Sequence, residues 1–143
     1  MSESPKGALY TPDLLALAVE LAGKPYDETA PLKGQARSRS CGSVIRISSF
    51  PGMSNVGLQA QACAVGQGAA AIFLRHAEGR SQSEIADTLA SLNSWLSENG
   101  PLPSWPDLDK IEVAREFPGR HGAILLPWHA ALDALSKSDD QLH

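Results

Sequence analysis

The chain contains two cysteines, and each lies where one predicted structural element gives way to the next. Cys63 follows the alternating stretch VGLQAQA and precedes a run of small residues, AVGQGAAAIF. At a helix start the free N–H groups and the helix dipole favour negative charge, and therefore a thiolate that can bind metals or accept sulfur. Cys41 stands in RSRSCGS, where strand alternation places Arg37 and Arg39 on its side, and their charge also favours a thiolate.

Both cysteines also have a simpler explanation. Free cysteine is among the most buried residue types and packs like a small hydrophobic side chain. In a chain without an export signal, however, two cysteines are more typical of free, metal-bound or redox-active thiols than of a structural disulfide. Ordinary packing and metal or sulfur chemistry therefore both stay open for this pair.

The length and composition are those of one globular domain. The chain has 143 residues and a net charge of −4, which argues against nucleic-acid binding. No apolar run approaches the roughly 18 residues of a membrane span. The first residues, MSESPKGALY, lack the apolar core of a signal peptide. We predict a cytoplasmic protein with one domain over residues 10–137, between flexible tails at 1–9 and 138–143.

Hydrophobic periodicity predicts a sheet in the first half of the chain. A helix starting at Thr11 is followed by a loop over 24–35. Alternation then predicts two strands, one around VIRISSF with Arg46 and Ser48 facing outward, and one over 56–62. Residues 36–40 are predicted to add a third strand. These antiparallel strands place both cysteines near strand ends.

The second half of the chain is predicted to be helical. Helices are expected over 64–77 and after Ser81, whose side chain forms a capping box with Glu84. A short helix is expected in DKIEVAREF, and a last helix over 127–137 with Pro127 in its first turn. The order of elements predicts an α+β fold, a two-layer domain with a three-stranded antiparallel sheet packed against helices.

Three stretches together resemble the NifU/IscU-like iron–sulfur cluster scaffold family, and most closely its SufU branch. SCGS at 40–43 stands where the family has TCGD. ACAVGQG at 62–68 resembles the family's second cysteine and the small-residue helix after it. FPGRHGAILLPWHAAL at 117–132 resembles the SufU pattern FPARxxCAxLxWxAL without a gap. The resemblance extends over about residues 10–136 and implies the IscU/SufU-like fold.

The resemblance also implies a site built from three cysteines and an aspartate. In the family this site binds zinc or a nascent [2Fe–2S] cluster and accepts sulfur from a cysteine desulfurase, in keeping with the preference of these metals for thiolates. Cys41 and Cys63 match two of the ligands, and Arg120 matches an arginine near the site. Ser43 stands at the aspartate position and Ala123 at the third cysteine, so two ligands are replaced.

Two sources could supply the missing ligands. His121 lies two residues before Ala123 and would become a third metal ligand if its loop shifted, although a loop histidine is more often exposed to solvent. A homodimer with two cysteines from each chain would restore four thiolates. Neither a serine hydroxyl nor an alanine methyl replaces the lost ligands.

Three functions follow from this pattern, and we favour the first. The chain is a scaffold-like protein that holds a metal or cluster through Cys41 and Cys63; or it accepts sulfur from a desulfurase on Cys41 or Cys63; or it is a cofactor-free partner of the assembly machinery. The sequence contains no phosphate loop, GxSxG or HExxH motif and gives no case for a hydrolase or a dehydrogenase. The expected partners are a cysteine desulfurase and other assembly proteins, not nucleic acid or membrane.

Overall fold

One helix precedes three consecutive strands, and the remaining helices follow them along the chain. The computed structural model describes residues 12–39 and 42–142, with side chains through Lys137. Its elements are helix α1 (Pro12–Glu20), a 3-10 turn (Leu21–Gly23), strands β1 (Leu32–Arg37), β2 (Val44–Phe50) and β3 (Ser54–Gln61), helices α2 (Ala64–His76) and α3 (Gln82–Ser97), a 3-10 segment (Leu108–Glu116) and helix α4 (Pro118–Leu142).

The three strands form one antiparallel sheet in the order β1-β2-β3. Ile45 faces Ala60 and Ile47 faces Leu58 across the β2–β3 pair. Their side chains point to the core, where α4 packs on β1 and β2, and α2 packs on β3. The helices thus cover one face of the sheet, and the predicted two-layer α+β fold is confirmed.

The predicted position of the first strand was wrong. The strand starts at Leu32, inside the segment expected to be a loop, and ends at Arg37. Gly34 made this stretch look irregular, since glycine is depleted from strands. Here it is needed because a Cβ at Gly34 would collide with the backbone oxygen of Ala130 in α4. Ser40, the predicted end of the strand, lies outside the described residues.

The expected exposure of Ser48 on the outer face of β2 was also wrong. Arg46 is partly exposed as predicted, but Ser48 is fully buried. Residues 24–27 cross the sheet there: the amide of Asp27 donates to Ser48 Oγ (2.9 Å), and the amide of Leu58 donates to the carbonyl of Lys24 (2.9 Å). This crossing segment covers one end of the outer sheet face and leaves the other end open.

The last helix is much longer than predicted. It begins at Pro118 and continues to Leu142, so Pro127 lies in its interior and not in its first turn. Proline is favoured in a first turn because its missing N–H costs nothing there, and Pro118 fills that role instead. At Pro127 the bond that would run from residue 127 to the carbonyl of Ala123 is missing. The assignment of 1–9 and 138–143 as tails stays a prediction.

The two middle helices agree with the sequence, whereas the short helix expected in DKIEVAREF is a 3-10 segment that is interrupted at Ile111. Ser81 and Glu84 form the predicted capping box at the start of α3. Residues 99–107 are irregular, and they bring Trp105 into the core, where its ring stacks on Phe73 at 5.3 Å. Thr11, the predicted cap of α1, lies outside the described residues. No helix in the described ranges is long and apolar enough to cross a membrane.

Candidate functional site

Cys63 lies at the junction between β3 and α2, as predicted. It is the N-cap residue of α2, with extended backbone angles (φ −66°, ψ 172°). Its backbone carbonyl accepts the amide of Gln67 (2.9 Å), while its side chain makes no capping hydrogen bond. The thiol is partly buried and packs at the edge of the core. The sulfur is therefore placed at the first turn of the helix with one side open to solvent.

Ser43 lies at the same end of the sheet as Cys63. Val44 pairs with Gln61 at the last position of the β2–β3 ladder, so the residues before Val44 and after Gln61 come next to each other. Ser43 is buried, and its carbonyl accepts the amide of Ser38 (2.8 Å) across the β1–β2 connection. Cys41 belongs to this connection but lies outside the described residues, so its place beside Cys63 stays a prediction.

Ala123 brings the last helix to the first turn of α2. A Cβ built on Gly66 would lie 3.2 Å from the Cβ of Ala123 and 2.8 Å from that of Ala62. Ala123 itself is fully buried. The glycine at position 66 is what allows α4 to approach the residues around Cys63 so closely. The position that the family resemblance assigns to a third cysteine therefore lies one turn from Cys63.

Arg120 and His121 occupy the first turn of α4. Arg120 is partly buried, and its side chain has no hydrogen-bond or ion-pair partner among the described residues. The Nε2 of His121 donates to the carbonyl of Arg115 at 2.9 Å, in the 3-10 segment. This bond leaves Nδ1 as the imidazole nitrogen with a lone pair. This contact does not test whether His121 binds a metal, and metal binding by His121 stays a prediction.

The described part of the chain does not contain a complete metal site. No group of three or more His, Cys, Asp or Glu side chains lies close enough together there to hold a metal ion. The family resemblance predicts Cys41 and Cys63 as ligands and assigns Ser43 and Ala123 to the two remaining ligand positions, and this assignment stays a prediction. Any metal held here needs ligands from elsewhere.

Gln67 is a residue of the site that the sequence analysis missed. Its Nε2 donates to the carbonyl of Ala62 at 2.9 Å, across the junction that carries Cys63. The signal was present, since Gln67 is the one polar side chain in the stretch AVGQGAAAIF. The contact joins Ala62, the residue after β3, to the first turn of α2 and so orients Cys63 between them.

Comparison with solved structures identifies the architecture. The chain superposes on the N-terminal part of a nitrogen-fixing NifU-like protein from Brucella abortus with a TM-score of 0.84 and 22% identity, covering 96% of this chain and 99% of that one. The chain has the fold of the NifU-like proteins. The family resemblance noted in the sequence is thus confirmed at the level of the fold.

A second NifU-like structure agrees. A protein from Fervidobacterium islandicum AW-1, described as an iron–sulfur cluster assembly scaffold for the SUF system, matches with a TM-score of 0.77 and 15% identity, covering 90% of this chain and 97% of that one. Neither protein-family models nor curated proteins give a match to the sequence. At these identities the likeness establishes the NifU-like fold, and the chemistry must be argued from the residues.

Proposed function

We propose that this protein is a scaffold-like component of iron–sulfur cluster assembly that binds a metal ion or a nascent [2Fe–2S] cluster through Cys41 and Cys63. The observation that supports it best is the position of Cys63. On a NifU-like fold, Cys63 is the N-cap residue of α2, and the buried Ser43 and Ala123 stand at the positions that the family resemblance assigns to two other ligands. Soft thiolates are the ligands that zinc and iron–sulfur clusters prefer.

The count of ligands determines how such a site would be completed. Zinc in a closed site is almost always four-coordinate, and Cys41 and Cys63 supply two ligands. A second copy of the chain would bring the number of thiolates to four, and His121 would add the Nδ1 nitrogen that its bond to the carbonyl of Arg115 leaves unused. Arg120, one helical turn before Ala123, would lie near the bound group and balance its negative charge. A cytoplasmic location, where thiols stay reduced, is part of this proposal.

Sulfur acceptance is the second candidate, and the partial exposure of Cys63 favours it. The thiolate of Cys63 would attack the terminal sulfur of a persulfide on a cysteine desulfurase. The sulfur–sulfur bond of the desulfurase breaks, its cysteine leaves as a thiolate, and Cys63 carries the persulfide. This step needs one thiol and no further ligand, so the substitutions at positions 43 and 123 do not impair it.

Elemental analysis of the anaerobically purified protein tests the first candidate. Zinc and iron would be measured in the wild type and in Cys41→Ala, Cys63→Ala and His121→Ala variants, with His129→Ala as a control on the exposed side of the same helix. We expect stoichiometric metal that is lost in both cysteine variants and kept in the control. Loss in His121→Ala as well would identify the third ligand. Absence of metal from the wild type, before and after cluster reconstitution, would contradict the proposal.

Mass spectrometry after incubation with a cysteine desulfurase and cysteine separates the second candidate from the first. A gain of one sulfur atom on Cys63 that is absent from Cys63→Ala would establish sulfur acceptance, whatever the metal content. A protein that gains neither sulfur nor metal but binds the desulfurase would be the cofactor-free partner. A protein that gains neither sulfur nor metal and does not bind the desulfurase would contradict all three functions.

A further inference from the structure

Positive charge is concentrated in one continuous part of the sequence. The whole chain has a net charge of −4, yet no Asp or Glu occurs between Ala30 and Cys63. The charged residues of that segment are Lys33, Arg37, Arg39 and Arg46. Protein surfaces usually mix positive and negative side chains. A segment with positive charges alone, on a protein with a negative net charge, therefore indicates a specific role for that segment.

The fold collects these cations on the open face of the sheet. Along β1 the exposed side chains of Lys33, Gln35 and Arg37 alternate with the buried Leu32 and Gly34. In the neighbouring strands, Arg46 of β2 stands opposite both Gln35 and Gln59. We call the outward-facing residues the basic sheet face: Lys33, Gln35, Arg37, Arg46, Gln59 and Gln61.

The basic sheet face is not covered by any element of the described chain beyond the end crossed by residues 24–27. All four helices pack on the opposite side or away from the sheet. Arg39 extends the same charge, because it is exposed in the turn after β1. The face is therefore a surface of cations and amides, with the partly exposed Val44 among them, that is open to solvent at the end near Cys63.

The cations of this face form no ion pair within the described chain. Elsewhere Arg75, Arg80, Arg115 and Lys137 each lie within ion-pair distance of a carboxylate. On the sheet, Lys33 Nζ donates to the carbonyl of Glu28 (2.9 Å), and Arg46 donates to Gln59 Oε1 (3.2 Å) and stacks over Tyr26. No described carboxylate lies within ion-pair distance of Lys33, Arg37, Arg39 or Arg46; Lys33 has Asp27 nearby and helps to lower the pKa of that carboxyl, so the three arginines carry the charge most available to a partner.

We propose that the basic sheet face is a docking surface for a partner protein that presents a cluster of Asp and Glu side chains. Charge complementarity identifies the partner, since the arginines offer planar donors that suit carboxylates and the glutamine amides offer further hydrogen bonds. A nucleic acid is disfavoured by the negative charge of the whole chain and by a face that has no exposed aromatic row for base stacking. The proposal does not depend on the chemistry of Cys63.

A titration with a short polyglutamate peptide, followed by amide NMR shifts of the labelled protein, tests this proposal. We expect shifts confined to β1, β2 and β3 that weaken as salt is raised to about 0.3 M, where the Debye length is near 6 Å. In Lys33→Glu/Arg37→Glu, two attractions become two repulsions, and we expect affinity to fall about tenfold or more. The Lys33→Gln/Arg37→Gln variant should lie between this and the wild type.

A matched control distinguishes the effect of cations on this face from the effect of the net charge of the protein. Gln82→Glu/Ser91→Glu/Lys110→Glu makes the same change in net charge on α3 and the 3-10 segment, away from the basic sheet face, and we expect less than about a twofold loss. Equal losses in this variant and in Lys33→Glu/Arg37→Glu, or shifts spread over the molecule, would overturn the proposal. Tighter binding of this face to a single-stranded oligonucleotide or to anionic vesicles than to the peptide would also overturn it. Salt-sensitive self-association of the protein through this face, in the absence of peptide, would do the same. Cys63→Ala should bind as the wild type does, so a failed metal or sulfur assay leaves this test intact.

Discussion

At the scale of single residues, the side chain at position 123 limits what the candidate site can hold. Ala123 is fully buried, and its methyl group faces the first turn of α2, one turn from Cys63. An alanine has no atom that can bind a metal. Ser43 is also buried, and a carboxylate there would need a metal or a cation beside it to be tolerated.

We therefore expect Ala123→Cys to increase zinc binding. The new thiol would lie near Cys63 and add a third thiolate to the pair, which should raise the zinc content of the purified protein toward one ion per chain. Elemental analysis and a competition assay with a chromogenic chelator would measure the change. Ala131→Cys, at a buried position further along the same helix, provides the control. Equal zinc content in the two variants would show that position 123 does not face a metal site.

Single residues of the site were predictable where local pattern determines them. The alternating strand before Cys63 and the small residues after it indicated a strand-to-helix junction, and this was confirmed. The contact between His121 and Arg115 was not predictable, because it depends on the path of the 3-10 segment over 108–116. No periodicity in the sequence describes that path.

At the scale of elements, β1 and α4 approach each other closely, and this contact sets the distance between the sheet and the last helix. Gly34 allows it, since an added Cβ would collide with backbone atoms of Ala130 and Ala134. The same glycine explains why the strand was predicted as a loop, and Pro127 explains why the helix was predicted to start late. In both cases a residue that disfavours an element locally is required or tolerated by packing between elements.

Gly34→Ala should destabilise the protein by about 2 kcal/mol or more, because backbone atoms cannot move aside as a flexible side chain can. The free energy of unfolding, from chemical denaturation, measures this. Gly23→Ala is the matched control, since nothing lies within 4 Å of a Cβ there. We expect the control to change stability by less than about 0.5 kcal/mol. Similar losses in the two variants would contradict the close contact of β1 with α4.

The capping box of α3 gives a second prediction at this scale. Ser81 Oγ accepts the amide of Glu84 (3.1 Å), and Glu84 Oε1 accepts the amide of Ser81 (2.9 Å). Ser81→Ala removes one bond of the pair and should cost about 1 kcal/mol of unfolding free energy. Ser91→Ala, on the exposed side of the same helix, should have almost no effect. An unchanged denaturation midpoint in Ser81→Ala would argue against the cap.

At the scale of the whole molecule, a charge network joins parts of the chain that are distant in sequence. Arg75 of α2 donates to Glu20 of α1 (2.9 Å) and to Asp107 (3.1 Å), which precedes the 3-10 segment. His76 lies 2.8 Å from the same carboxylate of Asp107. These bonds hold the pKa of Asp107 below its ordinary value, chiefly through His76 and then Arg75, and Arg75 lowers the pKa of Glu20.

The network makes stability depend on pH in a defined direction. A carboxyl group whose pKa is lower in the folded state stabilises the fold above its unfolded pKa, near 4, and loses this contribution as pH falls through the folded pKa. We expect Arg75→Gln to lower the melting temperature at pH 6, and the difference from wild type to shrink as pH falls below about 4. Lys137→Gln, which breaks a local pair on α4, should show little effect at either pH. A constant difference across this range would show that the carboxylates do not carry the effect.

The interior proline of α4 affects which part of the helix opens locally. Without an N–H at Pro127, the turns that carry Arg120, His121 and Ala123 are joined to the rest of the helix by an incomplete hydrogen-bond ladder. This end can therefore open while the turns after Trp128, which lie against the sheet, stay closed. Amides over 121–126 should exchange with solvent faster than those over 130–135. The surroundings of Cys63 would then become accessible through a local fluctuation of one helix end, while the turns packed on the sheet stay folded.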